Sequence, residues 1–341
     1  MPPLDAALVK AAARRAGFHA CGVARATPLD PAPLDRMLAR GAEADMVWLR
    51  TQRAERLDPA RLLPGARSVI AVALGYLAPG ESASAPEGAG EIARYARGRD
   101  YHAVMKARLR AVTAEIAAAD PRARTLATCD IAPVMEKTWA ERAGIGWVGK
   151  NGCLITTTHG SWVVLGTILV DRDLDPDPPH PERCGSCEAC LPACPTGAIP
   201  EPGLVDARRC LAFWTIERRG EIPPEIAART GRWIFGCDVC QSVCPWNAAA
   251  KPACDPELLP RPGREALALG DLLALGEDEY RLRFYGTSLA RARYDGLVRN
   301  ALLAAGNSGD PRWLELVRAR LESPLPGVRA AAEWAAAKLA P

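Results

Sequence analysis

The chain has 341 residues, with 43 Lys and Arg against 40 Asp and Glu and a formal net charge of +3. That length can bury a sizeable core and suits two or three domains, while the near-neutral balance argues against indiscriminate nucleic-acid binding but leaves room for a local basic face. No apolar run approaches the roughly 18 residues of a membrane span, and no charged-then-apolar leader opens the chain at Met1-Pro2-Pro3-Leu4-Asp5, so a soluble protein of the reducing cytosol is expected.

The opening stretch from Leu4 to Arg15 places Leu4, Leu8 and Ala11 or Ala12 at helical spacing and closes at Gly17, which predicts a helix. A second helix is expected from Leu34 to Leu49. Ser68 to Tyr76 is a β-rich apolar run after a Pro-Gly turn and predicts a buried strand. Pro79 to Gly90 has the small, polar, Pro- and Gly-rich character of a surface loop. Asp100 can cap a long amphipathic helix reaching Ala119, with Val104, Leu109, Val112 and Ile116 on its apolar side. Arg124 to Thr128 predicts a strand ending at Cys129-Asp130, and Val134 to Ala143 a helix. Cys153–Thr158 and Trp162–Val170 flank His159-Gly160-Ser161 in the manner of a hairpin. Helices interleaved with an antiparallel hairpin favour an α+β fold, whose first part is a mixed α/β sandwich rather than a doubly wound sheet.

Asp171 to Pro181 is acidic and proline-rich, and a second proline-rich joint follows Cys254 at Pro256, Pro260 and Pro262. These joints predict three units, at residues 1–175, 176–255 and 256–341. The last has short Ala-, Leu- and Arg-rich helices over 299–305, 311–321 and 327–339, broken at Gly306-Asn307 and at Pro324 to Gly327. Their character is HEAT-like, and so short an array must lean on its neighbours for stability. Residues 281–341 hold ten Arg or Lys against five Asp or Glu. That surplus offers either a phosphate-contacting face or an ordinary solvated helical one.

Eight of the twelve cysteines fall in two runs and one position between them. The first is Cys184-x2-Cys187-x2-Cys190-x3-Cys194-Pro195. The second is Cys237-x2-Cys240-x3-Cys244-Pro245, with Cys210 alone between them. Eight thiolates are what two [4Fe–4S] cubanes require, and in two-cluster ferredoxins the Cys before Pro ligates the other cluster. That rule assigns Cys184, Cys187, Cys190 and Cys244 to cluster 1, and Cys194, Cys210, Cys237 and Cys240 to cluster 2. A pair of structural zinc sites shares the C-x2-C spacing but needs neither the tight third Cys nor the closing Cys-Pro. Disulfides do not suit a reducing compartment.

Cubanes move single electrons, so the preceding residues must supply the bond chemistry. Gly144-Ile145-Gly146-Trp147-Val148-Gly149 has the spacing of a dinucleotide fingerprint, but it follows a helix and precedes a strand. It reads instead as a glycine-rich turn that lets backbone approach a ligand closely. Asp100-Tyr101-His102 begins the D-x-H-x-x-G pattern of histidine-bound cobalamin, yet Met105 occupies the glycine position. His102 is then a pocket or helix-surface histidine. Asp130, at a strand end before Pro133, is the candidate acid, and its plainer alternative is a cap for the following helix.

The chain resembles the epoxyqueuosine reductase family, cobalamin- and iron–sulfur-dependent enzymes of the last step in making queuosine. The resemblance rests on Leu63-Pro64-Gly65-Ala66-Arg67-Ser68-Val69-Ile70, on Arg94 to His102 (RYARGRDYH), and on Asp130-Ile131-Ala132-Pro133-Val134. Gly144 to Gly152 (GIGWVGKNG), Gly231 to Gln241 (GRWIFGCDVCQ) and Cys244-Pro245-Trp246-Asn247 also match. It implies a nitroreductase-like cobalamin-binding domain, a two-cluster ferredoxin-like domain and a C-terminal HEAT-like piece. It further implies reduction of the epoxide of epoxyqueuosine to the alkene of queuosine at the wobble base of a tRNA, with base-off cobalamin fed by two [4Fe–4S] clusters.

Asp130 aligns with the family's proton donor, which implies a carboxyl of raised pKa under an apolar corrin face. Arg53 lies in the Gln52–Pro59 segment, where the family makes one corrin contact; it is equally readable as an exposed helix arginine. Lys150, Asn151 and Cys153 form a second candidate corrin-binding loop. Cys21, Cys129, Cys153 and Cys254 have no cluster role and default to buried spectators. A low-potential donor such as ferredoxin or flavodoxin, no membrane, and a monomeric state complete the expectation. The competing readings are a corrinoid-dependent reductive dehalogenase-like enzyme and a two-cluster electron carrier. The helical C-terminal piece and the missing twin-arginine leader speak against the dehalogenase.

Overall fold

The computed structural model describes residues 4–80, 85–253, 255–264 and 266–340. The expectations about Met1 to Pro3, about Cys254 and about the middle of the Pro79–Gly90 loop lie outside the described residues. In chain order the elements that position the site are α1 (Ala6–Arg15), β1 (Ala20–Arg25), α2 (Ala32–Ala39), α3 (Trp48–Thr51), α4 (Arg53–Leu57), β2 (Ser68–Gly75), β3 (Ala89–Ile92), α5 (Tyr101–Ala119), β4 (Thr125–Thr128), α6 (Glu136–Arg142), β5 (Trp147–Val148), β6 (Leu154–Ile155), β7 (Val163–Val170), β8 (Trp233–Phe235) and β9 (Ala266–Ala268).

A four-stranded antiparallel sheet, ordered β1-β2-β7-β4, forms the first layer. Every residue of β2 is buried, because both faces of the sheet are covered. Alternation along the strand sends Ile70, Val72 and Leu74 to the face packed by Val9 of α1 and Val104, Leu109 and Val112 of α5. Val69 and Ala71 point to the other face, against Leu34 and Leu38 of α2 and Trp139 and Ala140 of α6. The carboxylate of Asp5 accepts from Leu8 N, and that of Asp100 from His102 N, capping α1 and α5. Helices therefore lie on both faces of an antiparallel sheet, an α+β arrangement.

Three expectations change. The helix predicted over 34–49 ends at Ala39, where Gly41 and then Ala44 take positive φ; the chain restarts as the short α3 and α4. The predicted hairpin does not form as drawn. β6 pairs with β5, whereas β7 pairs with β2 and β4, so only the Thr156–Gly160 bridge remains at the turn. The apolar run of β7 is best buried at the sheet centre, and that long-range pairing outweighs the local turn. Helix 299–305 is longer than predicted, running Arg293–Ser308 without a break at Gly306. A Cβ at Gly306 would come within 2.7 Å of Trp334 and 2.9 Å of the Ala335 backbone, so this glycine is a helix-contact residue, and Gly309 makes the left-handed stop.

The predicted units are stitched by a second sheet, ordered β8-β3-β9. It takes one strand from each of the three sequence segments, and Ile92, Ile234, Phe235 and Leu267 share a core with the C-terminal helices. The basic surplus beyond residue 281 is largely turned inward or paired. Arg299 is 2% exposed, Arg320 donates to Leu273 O and Leu275 O, and Arg281, Arg283, Arg291 and Arg312 hold carboxylates. Among the described residues no helix is long and apolar enough to cross a membrane.

Candidate active site

β4 delivers the chain to Cys129 and Asp130 at the sheet edge, and the chain turns there. Asp130 takes φ +62°, a left-handed backbone uncommon for a residue with a side chain. Its side chain is 61% exposed and opens into a cavity. Tyr101 O–H donates to Asp130 Oδ2 at 2.9 Å, and His102 Nε2 lies 3.3 Å from the same oxygen. His102 Nδ1 is 2.8 Å from Asp100 Oδ1. Burial works to lower the His102 pKa, but the hydrogen bonds to Asp100 and Asp130 prevail and raise it to about 9. The imidazole is therefore a cation at neutral pH.

That cation changes the expectation for Asp130. The hydrogen bond from His102 holds its carboxyl below the ordinary range, aided by Tyr101 and the charge of Arg291. The raised carboxyl is Glu136, which burial pushes to about 8. Asp130 is not the cap of α6 either: Met135 occupies that position and makes no side-chain cap. The bond runs the other way, from Asp130 N to Glu136 Oε1 at 2.6 Å.

Two cavities share Asp130, Tyr95, Tyr101 and Lys137. The larger, about 870 Å³, has apolar walls from Met37, Met46, Val205 and Phe213 and reaches Cys210 of the second thiol set. Glu217, Ser288 and Arg291 line it from downstream segments. Arg291 makes a two-point ion pair with Glu217, while Ser288 Oγ is buried with no hydrogen-bond partner, an unmet donor and acceptor on a residue of the cavity wall. The smaller, about 350 Å³, adds Tyr76, Glu136, Cys153 and Gln241.

Four of the eight candidate cluster cysteines share a cavity, and the other four influence one another electrostatically. Cys184, Cys187, Cys190 and Cys244 surround one cavity of about 130 Å³ together with Lys150, Asn151 and Trp246. Burial raises the Cys190 thiol, and Cys184, Cys244 and Cys187 add to it. Burial likewise lifts Cys237 to about 12, with contributions from Cys210 and Cys194, and Cys240 is raised by Cys153, Cys237 and Cys210. Cys194 Sγ accepts from Ala198 N at 3.2 Å.

Of the corrin candidates, Asp130 and Cys153 face the shared cavities. Arg53 is absent from their lining, because Asp35 binds its guanidinium at 2.5 and 2.6 Å. Lys150 and Asn151 line the cavity of Cys184 instead: Lys150 Nζ donates to Gly185 O and Asn151 Nδ2 to Cys240 O. Cys153 touches Cys240, and that hydrogen bond draws its thiol down to about 7. The glycine run serves the chain itself rather than a ligand, since a Cβ at Gly146 would stand 2.1 Å from Ile155 O. Cys129 is buried and Cys21 half-buried, with the Cys21 thiol raised by burial to about 12. Tyr95, Glu136, Lys137, Glu217, Ser288 and Arg291 were not anticipated; only Tyr95 lay in a motif already singled out.

Residues 183–247 match the 4Fe-4S double cluster binding domain family, and residues 56–130 match the family Epoxyqueuosine reductase QueG, DUF1730. An epoxyqueuosine reductase of Gloeobacter violaceus is 46% identical over 314 residues, covering 89% of this chain and 97% of that protein. A crystal structure of epoxyqueuosine reductase with a tRNA-Tyr epoxyqueuosine-modified stem loop superposes with TM-score 0.90 at 31% identity, over 98% of this chain and 89% of that one. A Bacillus subtilis epoxyqueuosine reductase, described with its catalytic aspartate loop swung out of the active site, gives TM-score 0.88 at 31% identity, over 97% and 89%. With likeness of this extent in sequence and in fold, the chain belongs to the epoxyqueuosine reductase family.

Proposed function

We propose that the protein reduces epoxyqueuosine to queuosine at the wobble position of a tRNA anticodon. The observation that carries this reading is Asp130, hydrogen-bonded to Tyr101 and His102 in a cavity that also reaches Cys210. Net, both C–O bonds of the epoxide break, a C=C bond forms, and oxygen leaves as water after taking up two electrons and two protons. An oxygen released from carbon leaves far more readily once protonated, so a positioned acid is required.

The residues supply that acid as a relay. The proton resides on His102 Nε2, facing Asp130 Oδ2, and Asp130 passes it to the departing oxygen. Met37, Met46, Val205 and Phe213 give the cavity apolar walls, which would help to exclude water from that transfer once substrate and cofactor cover Asp130. The apolar walls and the unpartnered Ser288 Oγ fit a large amphipathic macrocycle, so cobalamin suits the larger cavity, with Ser288 as a candidate contact there and Cys153 as one from the adjoining smaller cavity. When bound, cobalamin in its base-off form supplies a strongly reducing cobalt, and the two [4Fe–4S] clusters supply single electrons. Cluster 1 is held by Cys184, Cys187, Cys190 and Cys244, and cluster 2 by Cys194, Cys210, Cys237 and Cys240, an assignment supported by the two thiol groupings.

In this reading residues 1–175 are a nitroreductase-like cobalamin domain, 176–255 the ferredoxin-like domain and 256–341 a linker with a HEAT-like piece. The protein works as a cytoplasmic monomer, and a low-potential ferredoxin or flavodoxin is its electron donor. The swung-out aspartate loop of the Bacillus subtilis relative supports a mobile acid here.

The test is epoxide loss on modified tRNA by protein reconstituted with iron, sulfide and cobalamin, compared with Asp130→Asn. The variant keeps clusters, corrinoid and tRNA affinity but loses about 10²–10⁴ in rate. A rate within about threefold of wild type, or only about 0.7 kcal/mol of barrier, removes Asp130 from the mechanism.

A further inference from the structure

We infer that Glu136 is a positioning residue for Asp130: its Oε1 holds the Asp130 amide and keeps the acid turned into the cavity. The inference rests on the proposed reaction and deepens it. Asp130 has two kinds of restraint. Its carboxyl is held by Tyr101 and His102, and those bonds must loosen whenever the carboxyl turns to substrate. Its amide is held by Glu136 at 2.6 Å, a bond that survives any rotation of the side chain. Backbone and acid are thus secured separately.

Within the turn the backbone bonds are local, Ile131 N to Cys129 O and Val134 N to Ala132 O at 2.7 Å each, and little else ties the turn to the rest of the fold. The side chain of Ile131 is 83% exposed, so it adds no apolar anchor, and Ala132 N reaches Thr128 Oγ1 only at 3.3 Å. Asp130 also sits at φ +62°, a conformation that persists only where surrounding contacts enforce it. Glu136 is well placed to enforce it. It opens α6, whose Trp139 and Ala140 are buried in the sheet core, so the carboxyl projects from a fixed base.

Five groups bear on the Glu136 carboxyl: Asp130 and Cys129 on the turn, His102 on α5, Arg56 on α4 and neighbouring Lys137. With its pKa near 8, Glu136 is a neutral acceptor at pH 7, and above pH 8 it becomes a second negative charge beside Asp130. Glutamine reproduces the neutral acceptor; alanine removes it.

Glu136→Ala and Glu136→Gln are compared with wild type in the reconstituted holoenzyme. In the alanine variant kcat falls by roughly 10–100-fold, as misplacement of a reacting group does, while KM for tRNA and iron content hold. The glutamine variant retains most of the pH 7 rate and loses the wild-type decline near pH 8. Hydrogen exchange of the 129–132 amides, read by mass spectrometry without turnover, accelerates in the alanine variant and stays near wild type in the glutamine one. Equal damage in both variants, or unchanged exchange in the alanine variant, overturns the inference. If exchange responds as described but the wild type reduces no epoxide, the reaction assignment fails and the positioning role stands.

Discussion

Trp147 donates its indole N–H to Cys184 Sγ across 3.4 Å. The ring is fully buried, stacked on His180 and edge-on to Trp246 with centroids 5.2 and 4.9 Å away, so the donor cannot swing aside. Hydrogen bonds to cluster sulfurs are among the determinants of potential, because they stabilise the more negative, reduced state. Trp147→Phe keeps most of the packing and deletes the donor. Its cluster 1 potential is expected to fall while iron content is unchanged, as read by a redox titration followed by EPR. An unshifted potential would show that this contact is packing alone.

The thiol groupings make a sharper claim about Cys244, which is near Cys240 in sequence but shares its cavity with Cys184, Cys187 and Cys190. Cys244→Ala is expected to damage cluster 1, and Cys210→Ala cluster 2. Mössbauer and EPR spectra of the two anaerobically reconstituted variants distinguish the clusters. Damage confined to the opposite cluster in either variant would reverse the crossover.

The His102 network gives the fold a pH dependence. His102 has its pKa raised from 6.5 to about 9, so the folded state binds its proton more tightly than the unfolded chain. That stabilisation is complete below about pH 6.5 and is lost as pH rises through about 9. Asp100 and Asp130 are depressed by the same hydrogen bonds; their contribution is present above the ordinary carboxylate range and is lost in acid. The Tm of wild type is therefore expected to decline between about pH 6.5 and 9, and that of His102→Asn to decline less. Parallel melting curves for the two proteins across this window would remove the linkage.

Much of the site was legible where the chemistry is local. The cysteine spacings, the Asp100 cap and the Asp130 strand end each depend on a few consecutive residues. The cavity wall was not legible, because Glu217, Ser288 and Arg291 reach Asp130 only through tertiary packing. Lys150 and Asn151 show the same limit in small: the loop was rightly singled out, but nothing local says that these side chains face Cys184 while Cys153 faces Asp130. The misdrawn hairpin has a similar cause, since the partners of β7 are chosen by burial across the whole sheet.

The C-terminal helices were expected to lean on their neighbours and to offer a basic face to phosphate, and their buried polar contacts show where they lean. Asn300 is 1% exposed. Its Nδ2 donates to Thr215 O at 2.9 Å and to Ile234 O at 2.8 Å. Its Oδ1 accepts from Arg299, whose guanidinium also binds Trp214 O and Gly220 O. These carbonyls belong to the segments that follow Cys210 and precede Cys237, so the helix braces the backbone that carries the cysteines proposed for cluster 2. Asn300→Leu has similar volume but strands two buried carbonyls, at a cost of about 1–3 kcal/mol each. The variant is expected to melt earlier and to retain about four of eight irons, with the cluster 1 spectrum preserved because the Cys184 cavity has no contact from this helix. Full iron content and an unshifted Tm in Asn300→Leu would restore the simpler view of a helical piece that serves tRNA alone.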